Sequence, residues 1–249
     1  MNLKLLVLPL ALLALPALAQ KAKLNVGQKV KLNVRLRQQL DSLDQAYRRH
    51  EQRNDAAFER AEADSLLKPV RLPTGALAGY ARAGSTGPTS WEMPPDSTDL
   101  RFVAAVIRRY GYPGTSLVGR PASEIAWRVL QRTGQTTRFL PQLRAAAVAG
   151  ELSYQYYAQA VDTQLMQAGQ AQRYGTQVVD CLIINKATGQ LDVVRFLWPV
   201  ADMRRANELR RRAGFPTTVA QEAQILGFSA APVSLAYALR MKHAAETGE

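Results

Sequence analysis

The sequence predicts a mainly α domain, a bundle-like, orthogonal packing of helices carrying one small antiparallel β-hairpin. Three observations predict it. Apolar residues recur three and four positions apart over most of the chain. Period-two alternation is convincing only within residues 178–198. Capping and turn residues punctuate the chain at helix-length intervals. The 249 residues are 47% hydrophobic and 21% charged, globular proportions with enough apolar material for one real core.

In chain order, residues 1–19 read as a signal peptide. Asn2 and Lys4 begin it, a run of Leu and Ala interrupted by Pro9 follows, and Ala17-Leu18-Ala19 has the small-x-small form of a cleavage site before Gln20. The run is short for a membrane span, and no cysteine follows the cleavage site, which argues against a lipoprotein. The expectation is an exported chain, periplasmic or extracellular and not transmembrane after cleavage. Cys181 is the single cysteine, so no intramolecular disulfide forms and the fold rests on its core.

Residues 20–32 read as a flexible lead-in, and residues 33–249 as a single helical domain. A long amphipathic helix is expected over 33–67, with Leu36, Leu40, Leu43 and Tyr47 on one face and Pro69 ending it. Residues 69–97 are rich in Pro, Gly, Ser and Thr and read as a long loop, with Trp91 and Met93 as anchors. Ser97 caps the next helix, whose apolar face is Leu100, Val103, Ala104, Ile107 and Tyr110. After a turn at 112–116, Pro121 suits the first position of a helix with Ile125, Ala126, Val129 and Leu130 inward. Residues 131–135 connect to a helix closed by Gly150, and Ser153 opens another that ends at Gly169. The hairpin occupies 178–198. Asp202 caps a helix closed by Gly214, and two short helices are expected near 219–226 and 233–243.

The formal charge is +12, from 32 Lys and Arg against 20 Asp and Glu. Residues 101–150 hold eight arginines against one acid, Glu124. Such a chain suits an anionic envelope component or a small polar ligand as partner. Alternatively, the arginines form a solvated surface. No basic run is interleaved with aromatics in a nucleic-acid motif.

No Walker loop, Rossmann glycine pattern, His-Glu-x-x-His or cysteine pair is present, and no cofactor or metal is implied. The two histidines, His50 and His243, lie on polar helix faces. What remains is a set of hydrogen-bonding residues at element ends. Asp44 and Arg48 are four apart and share a helix face, as any surface ion pair would. Gln131 sits where a helix stops. Asp162 stands beside the inward Val161, and a carboxylate near a core face needs a partner, with Arg48 or Arg173 as candidates. The stretch Gln172-Arg173-Tyr174-Gly175-Thr176-Gln177 joins the helices to the hairpin and is dense in donors and acceptors. It is either a ligand site or a buried polar network locking hairpin to helices.

These residues carry a resemblance. The chain resembles an uncharacterised bacterial domain-of-unknown-function family with an Asp-Gln-x-x-Arg helix, a Tyr-Gly-Trp-Pro turn, a Gln-His pair, an Asp-Arg pair and a Gln-x-Tyr-Gly-Thr-Gln motif. The matching residues are Asp44-Gln45-Ala46-Tyr47-Arg48, Tyr110-Gly111-Tyr112-Pro113 with Gly119, Gln131, Asp162, the 172–177 stretch, and Pro199, Asp202, Arg211 and Gly214-Phe215-Pro216. The resemblance covers roughly residues 36–220. Arg132 stands where the family has His, and Thr163 where it has Arg. If that His is the family's general base, this chain lacks it.

Three readings follow. One is an exported binding domain that holds a ligand or partner with Arg48, Gln131, Gln172, Tyr174, Thr176 and Gln177 and its arginine-rich face. Another is a hydrolase with Asp162 or Asp44 as acid/base, and Tyr174 and Gln177 orienting substrate. The third is a structural polar network without a ligand.

Overall fold

The computed structural model describes residues 32–63, 67–71, 77–82, 96–184 and 191–247. The expected signal peptide, most of the lead-in, the anchors Trp91 and Met93, and the tip of the hairpin lie outside them. The fold is mainly α, with nine α-helices and two separate two-stranded antiparallel sheets among the described residues. No helix among the described residues is long and apolar enough to cross a membrane.

The first helix, α1 (Val34–Ala63), starts where Asn33 Oδ1 accepts the Leu36 N–H at 3.0 Å. It ends earlier than expected. The chain instead enters β1 (Leu67–Arg71), which pairs with β2 (Leu77–Arg82). Residues 69–97 are therefore not one long loop. They contain the rest of β1, all of β2 and the first residues of α2 (Asp96–Tyr110). Pro69 pairs opposite Tyr80 rather than merely stopping a helix, a position a proline tolerates because each strand of a two-stranded sheet is an edge.

Five elements follow. A single turn, α3 (Thr115–Val118), leads to α4 (Ala122–Arg132), which runs through the expected connector at Gln131. A 3-10 turn at Thr137–Phe139 leads into α5 (Leu140–Val148). Ser153 caps α6 (Tyr154–Gln167), its hydroxyl accepting the Gln155 N–H. The main core lies among α2, α4, α5 and α6, built on Val103, Ile107, Trp127, Leu130, Phe139 and Leu143. Each large apolar side chain buried there contributes roughly 1.5–3 kcal/mol. The buried Leu36 and Leu40 bring the start of α1 onto Val106, Val118 and Ile125.

The hairpin pairs β3 (Val178–Ile184) with β4 (Leu191–Leu197) in continuous register, Val178 opposite Leu197 and Ile184 opposite Leu191. Period two decides what it joins. Phe196 and Trp198 point to one side, against Ala238 of α9 (Leu235–Thr247). Leu197 points to the other, against Ala206 of α7 (Met203–Arg212) and Val219 of α8 (Val219–Ile225). Asp202 caps α7 as expected, accepting the Arg205 N–H at 2.9 Å.

Candidate functional site

The 172–177 stretch is the turn through which α6, the hairpin and α7 meet. Its organiser is Asp162, on the inner face of α6 and fully buried. The Asp162 carboxylate accepts the backbone N–H of Arg173 at 2.8 Å, of Tyr174 at 3.1 Å and of Thr176 at 3.1 Å, and the Thr176 hydroxyl at 2.9 Å. Burial pushes this carboxyl up, and the hydrogen bonds from Arg173, Tyr174 and Thr176 offset only part of that, so the net direction is up. An ionised carboxylate satisfies all four donors, whereas a protonated one sets its own O–H against them.

Asp162 was expected to pair with an arginine side chain, Arg48 or Arg173. It does not. Arg173 contributes its backbone N–H while its side chain is exposed, and Arg48 bonds Asp44. Backbone amides are stiff, close and already paid for by the turn, so they can satisfy a buried carboxylate without burying a second long side chain.

The rest of the turn is equally committed. Gln172, fully buried, accepts the Gln177 N–H at 2.8 Å and donates to the Trp198 carbonyl at 2.5 Å. Its backbone N–H donates to the Pro199 carbonyl, and its own carbonyl accepts from Ala201. Gln177 donates through Nε2 to the Thr176 hydroxyl at 3.0 Å. Tyr174 packs against Ala158, Val161 and Ala213, and burial beside Tyr154 pushes its phenol up to about 12. That phenol is a hydrogen-bonding group at neutral pH and supplies no anion.

On the far side of the turn stands Arg210 of α7, which no sequence motif singles out. It is 1% exposed. Its Nη1 donates to the carbonyls of Tyr174 and Gly175, both at 3.3 Å, and its Nε to the Thr217 carbonyl at 2.9 Å. Its guanidinium stacks 4.4 Å over the Phe215 ring, and Glu222 lies 3.4 Å from Nη2. Burial lowers its pKa, while Glu222 and Asp162 raise it. The turn thus presents its N–H groups to a buried anion and its carbonyls to a buried cation. Helical spacing carried the signal: Ala206, Arg210 and Ala213 share the buried face of α7.

Gly175 makes this geometry possible. Its φ is +67°, and a Cβ there would sit 2.6 Å from Val219 Cγ2. No other residue fits both constraints.

The remaining expected residues lie on another part of the fold. Asp44 accepts Arg48 Nε at 2.9 Å and, across to α4, Arg128 Nε at 3.0 Å and Nη2 at 2.9 Å. Burial raises the Asp44 carboxyl, but the bonds from Arg48 and Arg128 outweigh it, and the net direction is down. The polar face of α4 continues this pattern. Arg132 bonds Asp99 of α2 at 2.5 Å and lies 4.1 Å over the Tyr47 ring of α1, and Glu124 accepts the Tyr156 hydroxyl at 3.1 Å. Where the family resemblance places a histidine, this chain has a helix-joining arginine. Gln131 is exposed. Thr163, at the expected arginine position, donates back to the Gln159 carbonyl at 3.0 Å.

The space around these groups differs sharply. The cavity against Thr176, Arg210 and Glu222 holds about 70 Å³, well short of the roughly 300–1,000 Å³ of ordinary small-molecule sites. Two larger clefts lie elsewhere, one of about 430 Å³ between α1 and α2 beside Arg35 and Arg109, and one of about 560 Å³ between α7 and α8 beside Arg204 and Arg211. Among the described residues, no three of His, Cys, Asp and Glu gather as a metal site. Comparison with protein-family models, with curated proteins and with solved structures finds no match to the chain.

Proposed function

We propose that this chain is an exported, non-catalytic binding domain in which the 172–177 turn is an internal lock and the ligand is taken at the surface. One observation carries this reading: the cleft between α7 and α8 has ligand-sized volume, and its Arg204 and Arg211 are exposed. The polar atoms of the turn, in contrast, are committed to Asp162, Gln172 and Arg210. The hydrolase reading has less support, because Asp162 is fully buried with four donors on it and Asp44 is held by two guanidiniums. Export is supported by the sequence pattern of residues 1–19.

The test has two arms. Fractionation of a bacterial host expressing the chain, followed by N-terminal sequencing, is expected to find exported protein starting near Gln20. Uncleaved protein confined to the cytoplasm would overturn export. A thermal-shift screen of sugars, peptides and phosphorylated compounds is expected to give at least one saturable shift, retained by Thr176→Ser and lost on changing the cleft arginines. The opposite pattern returns the site to the turn.

A further inference from the structure

The α7–α8 cleft has a chemistry that narrows its ligand. Arg204 and Arg211 are seven residues apart on α7, two turns and about 10 Å along one face. Both are exposed, and neither makes an ion pair or hydrogen bond among the described residues. Between them on the same face is Asn207. Its Oδ1 accepts the Val219 N–H at 2.9 Å, which leaves its Nδ2 amide hydrogens as the part able to meet a ligand. Gln221 is oriented the same way. Its Oε1 accepts the N–H of Thr218 at 2.9 Å and the Thr218 hydroxyl at 3.0 Å, which leaves Nε2. The hydrogen bonds fix which end of each amide is spent, and in both it is the oxygen. Two guanidiniums and two amide NH₂ groups therefore line one cleft, all of them donors.

The one carboxylate in the wall is Glu208. It accepts Arg205 Nη1 at 2.6 Å and is also bonded by Arg212. Arg205, Arg212 and Arg211 hold its carboxyl below the usual range, so it stays an acceptor already engaged by its own helix. The exposed face of α7 then carries four arginines against one acid. Phe215 and Pro216 form the apolar part of the wall.

Resting on the binding-domain reading above, we propose that this cleft binds a small molecule bearing a phosphate monoester, its phosphoryl oxygens taken by Arg204, Asn207, Arg211 and Gln221 and its organic part lying against Phe215 and Pro216. A phosphate monoester is rich in acceptors and doubly charged near neutral pH, the complement of a donor-lined cationic cleft. A neutral sugar brings its own hydroxyl donors and leaves both guanidiniums without an anion. The volume of about 560 Å³ accommodates a hexose phosphate.

Isothermal titration of the purified chain with a hexose 6-phosphate, the parent hexose, the matching hexuronate and inorganic phosphate tests this. Hexose phosphate is expected to bind, the hexose not, and added salt to weaken binding. Arg204→Gln with Arg211→Gln should cost roughly tenfold or more in affinity. Asn207→Asp keeps the oxygen that accepts from Val219 but removes the amide donors, so it should weaken binding while the melting temperature holds. Arg144→Gln, an exposed arginine on α5, serves as the control for general charge and should change little. Vesicles carrying a phosphomonoester headgroup distinguish a lipid source: binding to them that Arg204→Gln with Arg211→Gln abolishes supports the same site. Binding unaffected by the double variant, or lost equally with Arg144→Gln, overturns the proposal. Binding of a neutral sugar or peptide but no phosphate ester overturns it and leaves the binding-domain reading standing. Binding of nothing in any class overturns both.

Discussion

Replacing Asp162 with asparagine separates a lock from a catalytic acid. Asn keeps the shape and one oxygen, which can still accept from the N–H groups of Arg173 and Tyr174. Its NH₂ then faces Thr176, whose backbone N–H and hydroxyl both donate to Asp162 Oδ2 in the wild type, at 3.1 and 2.9 Å. The substitution therefore leaves one buried N–H without an acceptor, turns a hydroxyl away and weakens the bonds that remain. With about 1–3 kcal/mol for an orphaned buried donor and 1.5–3 kcal/mol for each bond to a charged group, the loss is about 3–5 kcal/mol. For a domain of this size each kcal/mol shifts the melting temperature by roughly 2–4 °C, so melts followed by circular dichroism should fall by about 6–20 °C. Asp180→Asn provides the scale. That residue pairs with Arg195 on the exposed face of the hairpin, 2.6 Å apart with about half of each side chain in solvent, and such pairs contribute under about 1 kcal/mol. An Asp162→Asn protein that melts within about 3 °C of wild type, or no lower than Asp180→Asn, refutes the reasoning.

Gly175→Ala combines a left-handed φ with a methyl 2.6 Å from Val219 Cγ2, and should cost about 2–4 kcal/mol. Gly134→Ala has a similar φ of +66° and nothing within 4 Å, so it should cost about 1 kcal/mol in the same denaturant titration. Adding Val219→Ala to Gly175→Ala should cost less than the sum of the two single changes, and strict additivity would argue against the contact. Asp44 gives the pH dependence. Its folded-state pKa lies below its unfolded value, so its stabilisation is present above the unfolded carboxylate range near about 4. That stabilisation is lost as pH falls through the folded value. The gap in melting temperature between wild type and Asp44→Asn should therefore narrow as pH falls below the ordinary carboxylate range, and a gap that stays constant would count against the Asp44–Arg128 bond.

What was legible in the sequence followed from local rules. Asp202 and Ser153 cap the helices they were expected to cap, because an N-cap is decided by a residue and its next few neighbours. The hairpin and its two-sided packing follow from period two. The β1–β2 pair was hidden because its strands are short and Pro and Gly dominate the composition around them, so alternation had little length in which to show. Asp162 was recognisable as a carboxylate in need of partners. The partners themselves were not, since three of its four donors are backbone N–H groups that every sequence contains. Arg210 was missed for a different reason. In Met203–Arg212 five arginines look like one solvated face, and only the helical phase relative to Ala206 and Ala213 singles out the buried one. The bond from Arg128 to Asp44 spans 84 positions, beyond the reach of any local pattern.

The distribution of spent and unspent donors decides where a ligand belongs. A molecule entering the 172–177 turn would have to displace four donors from a buried carboxylate. At about 1.5–3 kcal/mol each that is roughly 6–12 kcal/mol, comparable with the whole binding free energy of about 8 kcal/mol for a micromolar ligand. The ligand would need to replace every one of those bonds before gaining anything. A molecule entering the α7–α8 cleft displaces water from Arg204, Arg211, and the amide groups of Asn207 and Gln221, and breaks no intramolecular bond. The two places are also mechanically linked. Val219, whose N–H holds Asn207 in its orientation, is the residue that packs on Gly175, and Phe215 lines the cleft while stacking on Arg210. The buried turn therefore sets the positions of α7 and α8, and through them the spacing of the cleft's donors. Loosening the turn with Gly175→Ala should weaken ligand binding at the cleft even where the protein stays folded. Undiminished affinity in a folded Gly175→Ala protein would separate the two and remove the turn from any role in recognition.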